Sequence, residues 1–478
     1  MNRIIVWHRR DLRIFDNVAL SEALKETRDI VPLFIFADDI LKRRDDFSPA
    51  CVKFMTESLR DLAAQYERIG GKLILRRGFF IEALKEVVKE SEARAIYFNE
   101  DYEPFAKERD AAVVATFAKL GVEVKSFKDQ ALFAKDEILT KQGKPYTVFT
   151  PYKRAWLAQA HLIPKPVAAP TRLGRVDLAS LPPLAHDELG FPCSQRLLVK
   201  GGSTEGEKQI TRFLAEKVRR YKIDREFPAI EGTSLLSAHL RFGTVSARDL
   251  VHRAFALLDD AKKESDRLGI ETFVSELVWR DFYFQILHHF PIVEKESFQP
   301  SFRALRWENR EDCFEAWKEG RTGFPIVDAA MRQLNETGWM HNRLRMIVAS
   351  FLTKDLLIDW RWGEKFFMQK LVDGDMAANN GGWQWSASTG TDAQPYFRIF
   401  NPASQSQKFD PKGEFIKRFV PELRALPEKY VHDPSELLRK SPLMEKELGI
   451  KLGKDYPLPI VDHAVQRQKA LAMFKSAK

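Results

Sequence analysis

The sequence predicts an N-terminal α/β domain with a doubly wound parallel sheet, a long linker and a large all-α domain. Three observations predict this order. Short apolar runs alternate with helical stretches over residues 1–130. Eight of the 24 prolines lie within residues 145–192, so we expect an extended interdomain linker over 131–202. Over 203–478, apolar residues recur at three- and four-residue spacing, which is typical of helices.

The strands of the first domain are predicted from short runs rich in apolar and β-branched residues, at 3–8, 30–36, 72–76, 95–99 and 122–127. Helices are predicted between them, at 51–68 and 104–119. Continuous apolar runs separated by helices are typical of buried parallel strands. The first strand is followed by "HRRDLRIFDN" and not by a glycine-rich phosphate loop, so the sheet lacks the usual dinucleotide fingerprint.

The all-α domain is predicted from four amphipathic segments, which cover residues 206–218, 247–258, 271–290 and 343–360. Each places apolar residues on one helical face, which must pack against other helices. We therefore expect one helical body from residue 203 onward.

Composition restricts the class of protein. The chain has 478 residues and a net charge of +9, which permits an anionic partner without demanding one. The longest apolar run, 30–37, is far too short to span a bilayer, and charges follow the first apolar residues too soon for a secretory signal. The three cysteines are far apart and lack metal-ligand spacing. We expect a cytoplasmic protein with no structural metal and no membrane contact.

The segment "DGDMAANNGGWQW" (373–385) combines carboxylates, amides, glycines and indoles. Eight of the ten tryptophans lie between Trp279 and Trp385, which predicts a special role for some of them. Carboxylates and amides complement the polar rim of a flavin, and a line of indoles can carry an electron hole to the surface. The alternatives are an aromatic helical core and a turn with solvated acids.

The block 337–402 closely resembles the photolyase/cryptochrome family and, within it, class I cyclobutane pyrimidine dimer photolyases. The segments "VWHRRDLRIFDN" (6–17) and "FPAIEGTSLLSAHLRFG" (227–243) resemble the same family, so the likeness covers essentially the whole chain. The resemblance implies a noncovalently bound FAD in the helical domain. It also implies a light-driven carbon–carbon lyase in which excited, reduced FAD passes an electron to a dimer flipped out of the DNA.

The resemblance carries FAD contacts onto matching positions of this sequence. The phosphate side is expected at Tyr221, Thr233, Ser234, Leu235, Leu236 and Ser237, although Thr233 and Ser234 could be ordinary helix caps. The ring contacts are expected at Phe273, Arg280, Arg345, Asp373, Gly374, Asp375 and Asn379. Within this set Arg345 is the expected partner of Asp373, and Asn379 is expected to face flavin N5.

The resemblance also implies an electron-transfer chain and a lesion pocket. The chain runs from the flavin to the surface through Trp383, Trp360 and Trp307. The pocket is expected at Glu276, Trp279, Tyr283, Asn342, Met346 and Trp385, with Glu276 counted among the catalytic residues. Contacts to the phosphates of double-stranded DNA are expected from Arg225 and Arg343, with Gln405 nearby.

Three functions stay open at this point: repair of pyrimidine dimers, a cryptochrome-type blue-light receptor, and a flavoprotein electron carrier. Asn379 and the base-reading set Glu276, Asn342 and Met346 favour repair. We expect the protein to be a monomer. A second, antenna chromophore is expected, either a folate (methenyltetrahydrofolate) or a deazaflavin. Glu103 and Lys295 are its candidate contacts, and the alternative for Glu103 is a surface carboxylate.

Overall fold

A computed structural model describes residues 3–42, 45–440 and 447–477. Its N-terminal domain contains a five-stranded, all-parallel sheet in the order β3-β2-β1-β4-β5. The strands are β1 (Ile4–His8), β2 (Ile30–Ala37), β3 (Ile74–Gly78), β4 (Ala95–Asn99) and β5 (Glu123–Phe127). All five predicted strands are therefore confirmed, and so is the fold class.

Helices cover both faces of the sheet: α1 (Val18–Glu26), α2 (Asp38–Leu41), α3 (Pro49–Arg68), α4 (Phe80–Ser91) and α5 (Pro104–Ala118). Every residue of β1 is buried. Ile4 and Val6 pack with the core formed by α1 and α3, whereas Ile5 and Trp7 pack with the core formed by α4 and α5. Successive side chains of a strand point to opposite faces, which is why a continuous apolar run is needed here.

The linker is not extended throughout, and in this respect the prediction is wrong. It contains α6 (Phe149–Gln159) and a following 3₁₀ turn (Ala160–Leu162). Phe149, Tyr152 and Trp156 form a buried stripe along α6. The indole Nε1 of Trp156 donates a hydrogen bond of 3.0 Å to the carboxylate of Asp281, which anchors the linker to the helical domain.

The C-terminal body is helical, as predicted. Its helices are α7 (Ser203–Glu216), α8 (Tyr221–Asp224), α9 (Ser237–Phe242), α10 (Ala247–Asp260), α11 (Glu264–His289), α12 (Glu311–Glu319), α13 (Pro325–Thr337), α14 (Asn342–Ser350), α15 (Trp360–Lys370), α16 (Met376–Ala387), α17 (Pro402–Phe409), α18 (Glu414–Phe419), α19 (Glu428–Val431), α20 (Ser435–Lys440) and α21 (His463–Ser476). Short 3₁₀ turns lie at Val218–Arg220, Pro291–Glu294, Pro300–Phe302 and Pro421–Leu423. In the described parts of the chain, no helix is both long enough and apolar enough to cross a membrane.

The continuous helix predicted over 343–360 is wrong. Helix α14 ends at Ser350, a wider π-helical turn follows (Phe351–Asp355), and α15 begins only at Trp360. Two local features break the helix. Leu357 adopts a φ of 52°, and the Asp359 side chain accepts the backbone N–H of Arg361 at 3.0 Å and so caps α15. A cap of this kind competes well with continuation of a helix.

The two domains meet at Arg10, just beyond β1. Its guanidinium donates to Asp101 at 3.2 Å, to Glu103 at 2.9 Å and, in a short contact, to Asp375 of the helical domain. The adjoining backbone comes so close that a side chain on Gly243 would lie 2.0 Å from the carbonyl oxygen of Arg10. The interface is thus a buried ion cluster beside a tight backbone contact.

We predict that Arg10→Met lowers the free energy of unfolding by about 3–5 kcal/mol, because three largely buried carboxylates lose the guanidinium that they share. Urea unfolding followed by circular dichroism measures the change. The control is Arg196→Met, which removes an exposed ion pair with Glu336 and should cost less than about 1 kcal/mol. Equal effects of the two substitutions would contradict a structural role for the Arg10 cluster.

Candidate functional site

A cavity of about 530 Å³ lies within the helical body. Its walls come from α8, the segment 233–237, and helices α11, α14 and α16. The expected cofactor residues on its wall are Tyr221, Thr233, Ser234, Leu235, Leu236, Ser237, Phe273, Arg280, Arg345, Asp373, Asp375 and Asn379. The expected lesion and DNA residues there are Arg225, Glu276, Trp279, Tyr283, Asn342, Arg343, Met346 and Trp385. One cavity thus gathers most of both predicted sets.

The acidic part of the wall is held by arginines. Arg345 donates two hydrogen bonds, of 2.8 and 3.0 Å, to the carboxylate of Asp373, so the predicted pair is confirmed. Burial alone would raise the pKa of Asp375, but the charges of Arg10, Arg241 and Arg280 outweigh burial and lower it. Asp375 therefore remains ionised. It also caps α16 by accepting the N–H of Ala378 at 3.1 Å.

Asn379 lies one turn into α16, half-buried at the cavity wall. Its Nδ2 donates to the backbone carbonyl of Glu364 at 3.0 Å. That bond fixes the amide plane and leaves the side-chain oxygen able to accept from an N–H in the cavity.

The segment 233–237 does not use its hydroxyls as helix caps, so that alternative is wrong. Leu236 is the N-cap of α9, and no side chain bonds to the helix N–H groups. Ser234 Oγ instead accepts the N–H of Leu236 at 3.3 Å in a local turn. Leu235 has a φ of 53°, a conformation that costs energy for a leucine and that often occurs at binding sites.

The two glycines of the quoted segment have different roles. A side chain on Gly381 would lie 2.2 Å from the ring of Tyr283, so Gly381 is needed for the packing of α16 on α11. A side chain on Gly382 would meet nothing within 4 Å, and Gly382 lines the cavity. Only Gly382 leaves space for a bound group. An open wall beside carboxylates, an amide and arginines fits a large ring with a polar rim.

The lesion side is aromatic and carries charge at its edge. Trp279 is stacked near Tyr283, with ring centroids 5.4 Å apart and 29° between the planes. Arg225 and Arg343, expected to contact phosphates, are each engaged in a short ion pair, with Glu276 and Glu226 respectively. Burial of the His341 imidazole, together with the nearby arginines, lowers its pKa to about 3, so His341 adds no charge to this wall.

The three tryptophans of the expected chain belong to one aromatic core. Trp383 lines the cavity, Trp360 is fully buried, and Trp307 packs on the outside of the same core. A side chain on Gly363 would lie 2.1 Å from the Trp383 ring, so α15, which begins with Trp360, packs directly against that indole. Trp317, which the sequence did not single out, contacts Trp383 with ring centroids 6.1 Å apart.

Several predicted residues lie outside the cavity wall, namely Gly374, Gln405, Trp307, Trp360, Glu103 and Lys295. Glu103 is buried and paired with Arg10, so the alternative of a surface carboxylate is wrong. Lys295 is exposed. Gly374 contributes its carbonyl, which accepts from Arg241 at 2.6 Å. As antenna contacts, Glu103 and Lys295 stay predictions.

Sequence reasoning missed other wall residues, chiefly Leu240, Arg241, Leu277, Trp339, Met340 and Phe367. Helical spacing could have found Leu277, which lies four residues after Phe273 and three residues before Arg280 on α11. Arg241 lies inside the quoted segment 227–243 and four residues after Ser237. Trp339 and Phe367 had no local signal beyond being aromatic.

Comparison with known proteins matches two family descriptions: "DNA photolyase" over residues 4–171 and "FAD binding domain of DNA photolyase" over 273–476. The deoxyribodipyrimidine photo-lyase of Synechococcus is 41% identical and covers 99% of this chain and 97% of its own length. The Escherichia coli protein of the same name is 39% identical, with 100% and 99% covered.

Solved structures give the same result. A class III photolyase from Agrobacterium tumefaciens superposes with a TM-score of 0.92 at 38% identity, covering 100% of this chain and 98% of that one. A Synechocystis cryptochrome gives a TM-score of 0.89 at 28% identity, with 99% of both chains covered. The fold, the cavity and these relatives together show that the chain belongs to the DNA photolyase family.

Proposed function

We propose that this protein repairs cyclobutane pyrimidine dimers in double-stranded DNA with light, and that FAD and the flipped dimer share the 530 Å³ cavity. One observation carries the proposal. The set Asp373, Arg345 and Asn379 and the set Glu276, Trp279 and Asn342 line the same cavity. A flavin and a pair of bases would then lie in contact, as direct electron transfer requires. The full-length relatives named deoxyribodipyrimidine photo-lyase support the same activity.

FAD, when bound and reduced, supplies the electron that splits the dimer and then recovers it. The chain's own groups hold the cofactor and exclude water. Asp373, fixed by Arg345, and Asp375, fixed by Arg10, would present acceptors to ring N–H groups. The Asn379 oxygen is oriented by the bond from its Nδ2 to Glu364. Tyr221 and the 233–237 turn, which line the same cavity, would hold the phosphate side.

The dimer is held by stacking and by hydrogen bonds to the base edges. Flipping a damaged step costs only a few kcal/mol, which stacking on Trp279 and Trp385 offsets. The Glu276 carboxylate and the Asn342 amide are suited to the base edges, and Met346 fills apolar space. Arg225 and Arg343 would exchange their glutamate partners for phosphates, and Gln405 on α17 would extend this contact.

The proposal also covers a second, antenna chromophore, the oligomeric state and the cellular location of the protein. An archaeal photolyase from Sulfolobus tokodaii was solved with two FAD molecules, which supports a second chromophore in this chain as well. A folate or deazaflavin antenna, a monomeric state and a cytoplasmic location stay predictions.

Light-dependent repair of an oligonucleotide with one thymine dimer tests the proposal. The second candidate is a blue-light receptor, favoured by the likeness to the Synechocystis cryptochrome. Recovery of intact thymines under blue light, and none in the dark, supports repair. An FAD-loaded, reduced protein that binds the duplex but leaves the dimer intact under light would support the receptor.

We predict that Trp307→Phe abolishes photoreduction of oxidised FAD in the isolated protein, because the exit of the electron hole is lost. Repair by chemically reduced enzyme should remain nearly intact. The matched control is Trp362→Phe, which alters another half-buried indole on the same core. Flash absorbance with an external thiol measures FAD photoreduction in both variants. A normal photoreduction rate in Trp307→Phe would show that Trp307 is not part of the electron-transfer pathway.

We predict that Trp279→Ala weakens binding to dimer-containing DNA by roughly one to two decades, because a base–aromatic stack is worth about 1–3 kcal/mol. Binding to undamaged DNA rests on phosphates and should keep its affinity and salt slope. Fluorescence anisotropy at full FAD occupancy measures both. Equal losses on the two duplexes would show that Trp279 does not contact the lesion.

The group behind Asn379 generates a pH-dependent prediction. Burial raises the pKa of the Glu364 carboxyl to about 7. A carboxyl whose pKa is raised on folding stabilises the protein below its unfolded pKa, and that contribution is lost as pH rises towards 7. Wild-type protein should thus lose roughly 3 kcal/mol from this group between about pH 4.5 and 7, and Glu364→Gln should not.

Urea unfolding of both proteins at pH 5 and pH 8 measures the difference. Glutamine keeps the side-chain oxygen that accepts from Asn380 Nδ2 at 3.2 Å, so packing is conserved. Identical pH profiles for the two proteins would mean that Glu364 titrates normally.

A further inference from the structure

The lesion-side indole Trp279 has one face covered by a residue of the linker. Phe149, the first residue of α6, stacks on Trp279 with ring centroids 3.5 Å apart and only 7° between the planes. Phe149 is itself buried, whereas Trp279 is half-buried and lines the cavity. Phe149 thus occupies one face of Trp279, and the indole also makes the tilted stack with Tyr283 described above.

The geometry of this pair is imposed by its surroundings. Isolated aromatic pairs prefer offset or edge-to-face arrangements to a face-to-face sandwich. Phe282 contacts the indole edge-on, at 5.6 Å and 81°, and the ring of Phe149 at 5.8 Å and 75°. The Trp279 plane is therefore set between a face contact and an edge contact, both of which are buried.

Phe149 is in turn fastened to the loop that follows α16. Its backbone N–H donates to the Asp392 carboxylate at 3.0 Å, and the Thr391 hydroxyl makes a short bond to the carbonyl of Thr147. A carboxylate at the start of α6 is also favoured by the helix dipole. Helix α16 carries Trp385, the opposite indole of the expected lesion pocket. Phe149 and Asp392 thus connect the two indole walls.

We propose that Phe149 is a positioning residue for lesion recognition: it fixes the plane of Trp279, and its bond to Asp392 sets that plane relative to the helix that carries Trp385. This inference rests on the proposed lesion site. It makes the linker helix part of the apparatus that distinguishes damaged from undamaged DNA, although α6 itself does not line the cavity.

The test compares FAD-loaded holoenzymes on a duplex with one thymine dimer and on the same duplex without it. Phe149→Leu should weaken binding to the dimer duplex by roughly two- to tenfold, the range of an aromatic pair. Binding to the undamaged duplex should not change. Phe149→Tyr keeps an aromatic ring and should keep the wild-type discrimination, which is the ratio of the affinities for the two duplexes. The matched control, Phe133→Leu, removes a buried linker aromatic that packs on Trp156 at 5.4 Å but keeps the Phe133 backbone N–H that bonds to Asp281. It should leave the ratio of affinities unchanged.

A double-mutant cycle makes the test specific. In a Trp279→Ala background, Phe149→Leu should have no further effect on the ratio, because its effect is transmitted through the indole. Asp392→Gly provides a second variant at an exposed position, where glycine tolerates the observed φ of 44°. It should reduce the same ratio in the same direction.

Three results would overturn the inference: unchanged discrimination in Phe149→Leu and Asp392→Gly, an equal loss in Phe133→Leu, or a full additional loss in the Trp279→Ala background. If Trp279→Ala reduces discrimination and Phe149→Leu does not, only this inference fails. If Trp279→Ala itself has no effect, the proposed lesion site fails and the inference fails with it.

Discussion

The ion cluster around Arg10 is the interaction on which the rest of the structure depends. In a doubly wound sheet, ligands usually bind beyond the carboxyl ends of the strands where the strand order reverses, which here is between β1 and β4. Arg10 follows β1, and Asp101 and Glu103 follow β4, so the cluster occupies this place. The guanidinium also reaches Asp375, the cap of α16. The place where other doubly wound proteins bind ligands is thus used here to orient α16, a helix of the cavity wall.

A second buried carboxylate, Asp281, orients α11 by binding it to the linker. Asp281 accepts the N–H groups of Leu132 and Phe133 and the indole N–H of Trp156. Burial raises its pKa to about 6 despite these donors. Because a buried acceptor left without donors is costly, the three bonds fix the linker in one register on the helix that carries Glu276, Trp279 and Tyr283. The linker therefore supports α11 from outside the cavity, and the position of the lesion-side residues depends on this support.

Elements with a long, uninterrupted apolar pattern could be predicted, whereas short elements and helix breaks could not. The strands could be predicted because burial on both faces demands an uninterrupted apolar run, as in residues 30–36. Helix α6 was missed because its short stripe of Phe149, Tyr152 and Trp156 lies among prolines that are typical of extended chain. The break before Trp360 was missed because a cap by Asp359 and a left-handed Leu357 outweighed a regular apolar period.

The sequence by itself determined the fold class, the family and the residue types gathered at the cavity, since these follow from local periodicity and from a contiguous block at 337–402. Apart from the pair Arg345 and Asp373, which the resemblance predicted, only the tertiary structure decided which side chains pair. Arg10 meets Asp375 across 365 positions, Arg225 meets Glu276 across 51, and Gly381 serves packing while Gly382 leaves open space. The reason is physical: a hydrogen bond or ion pair forms with whatever group packing brings within about 3 Å, and local spacing carries no record of that distance.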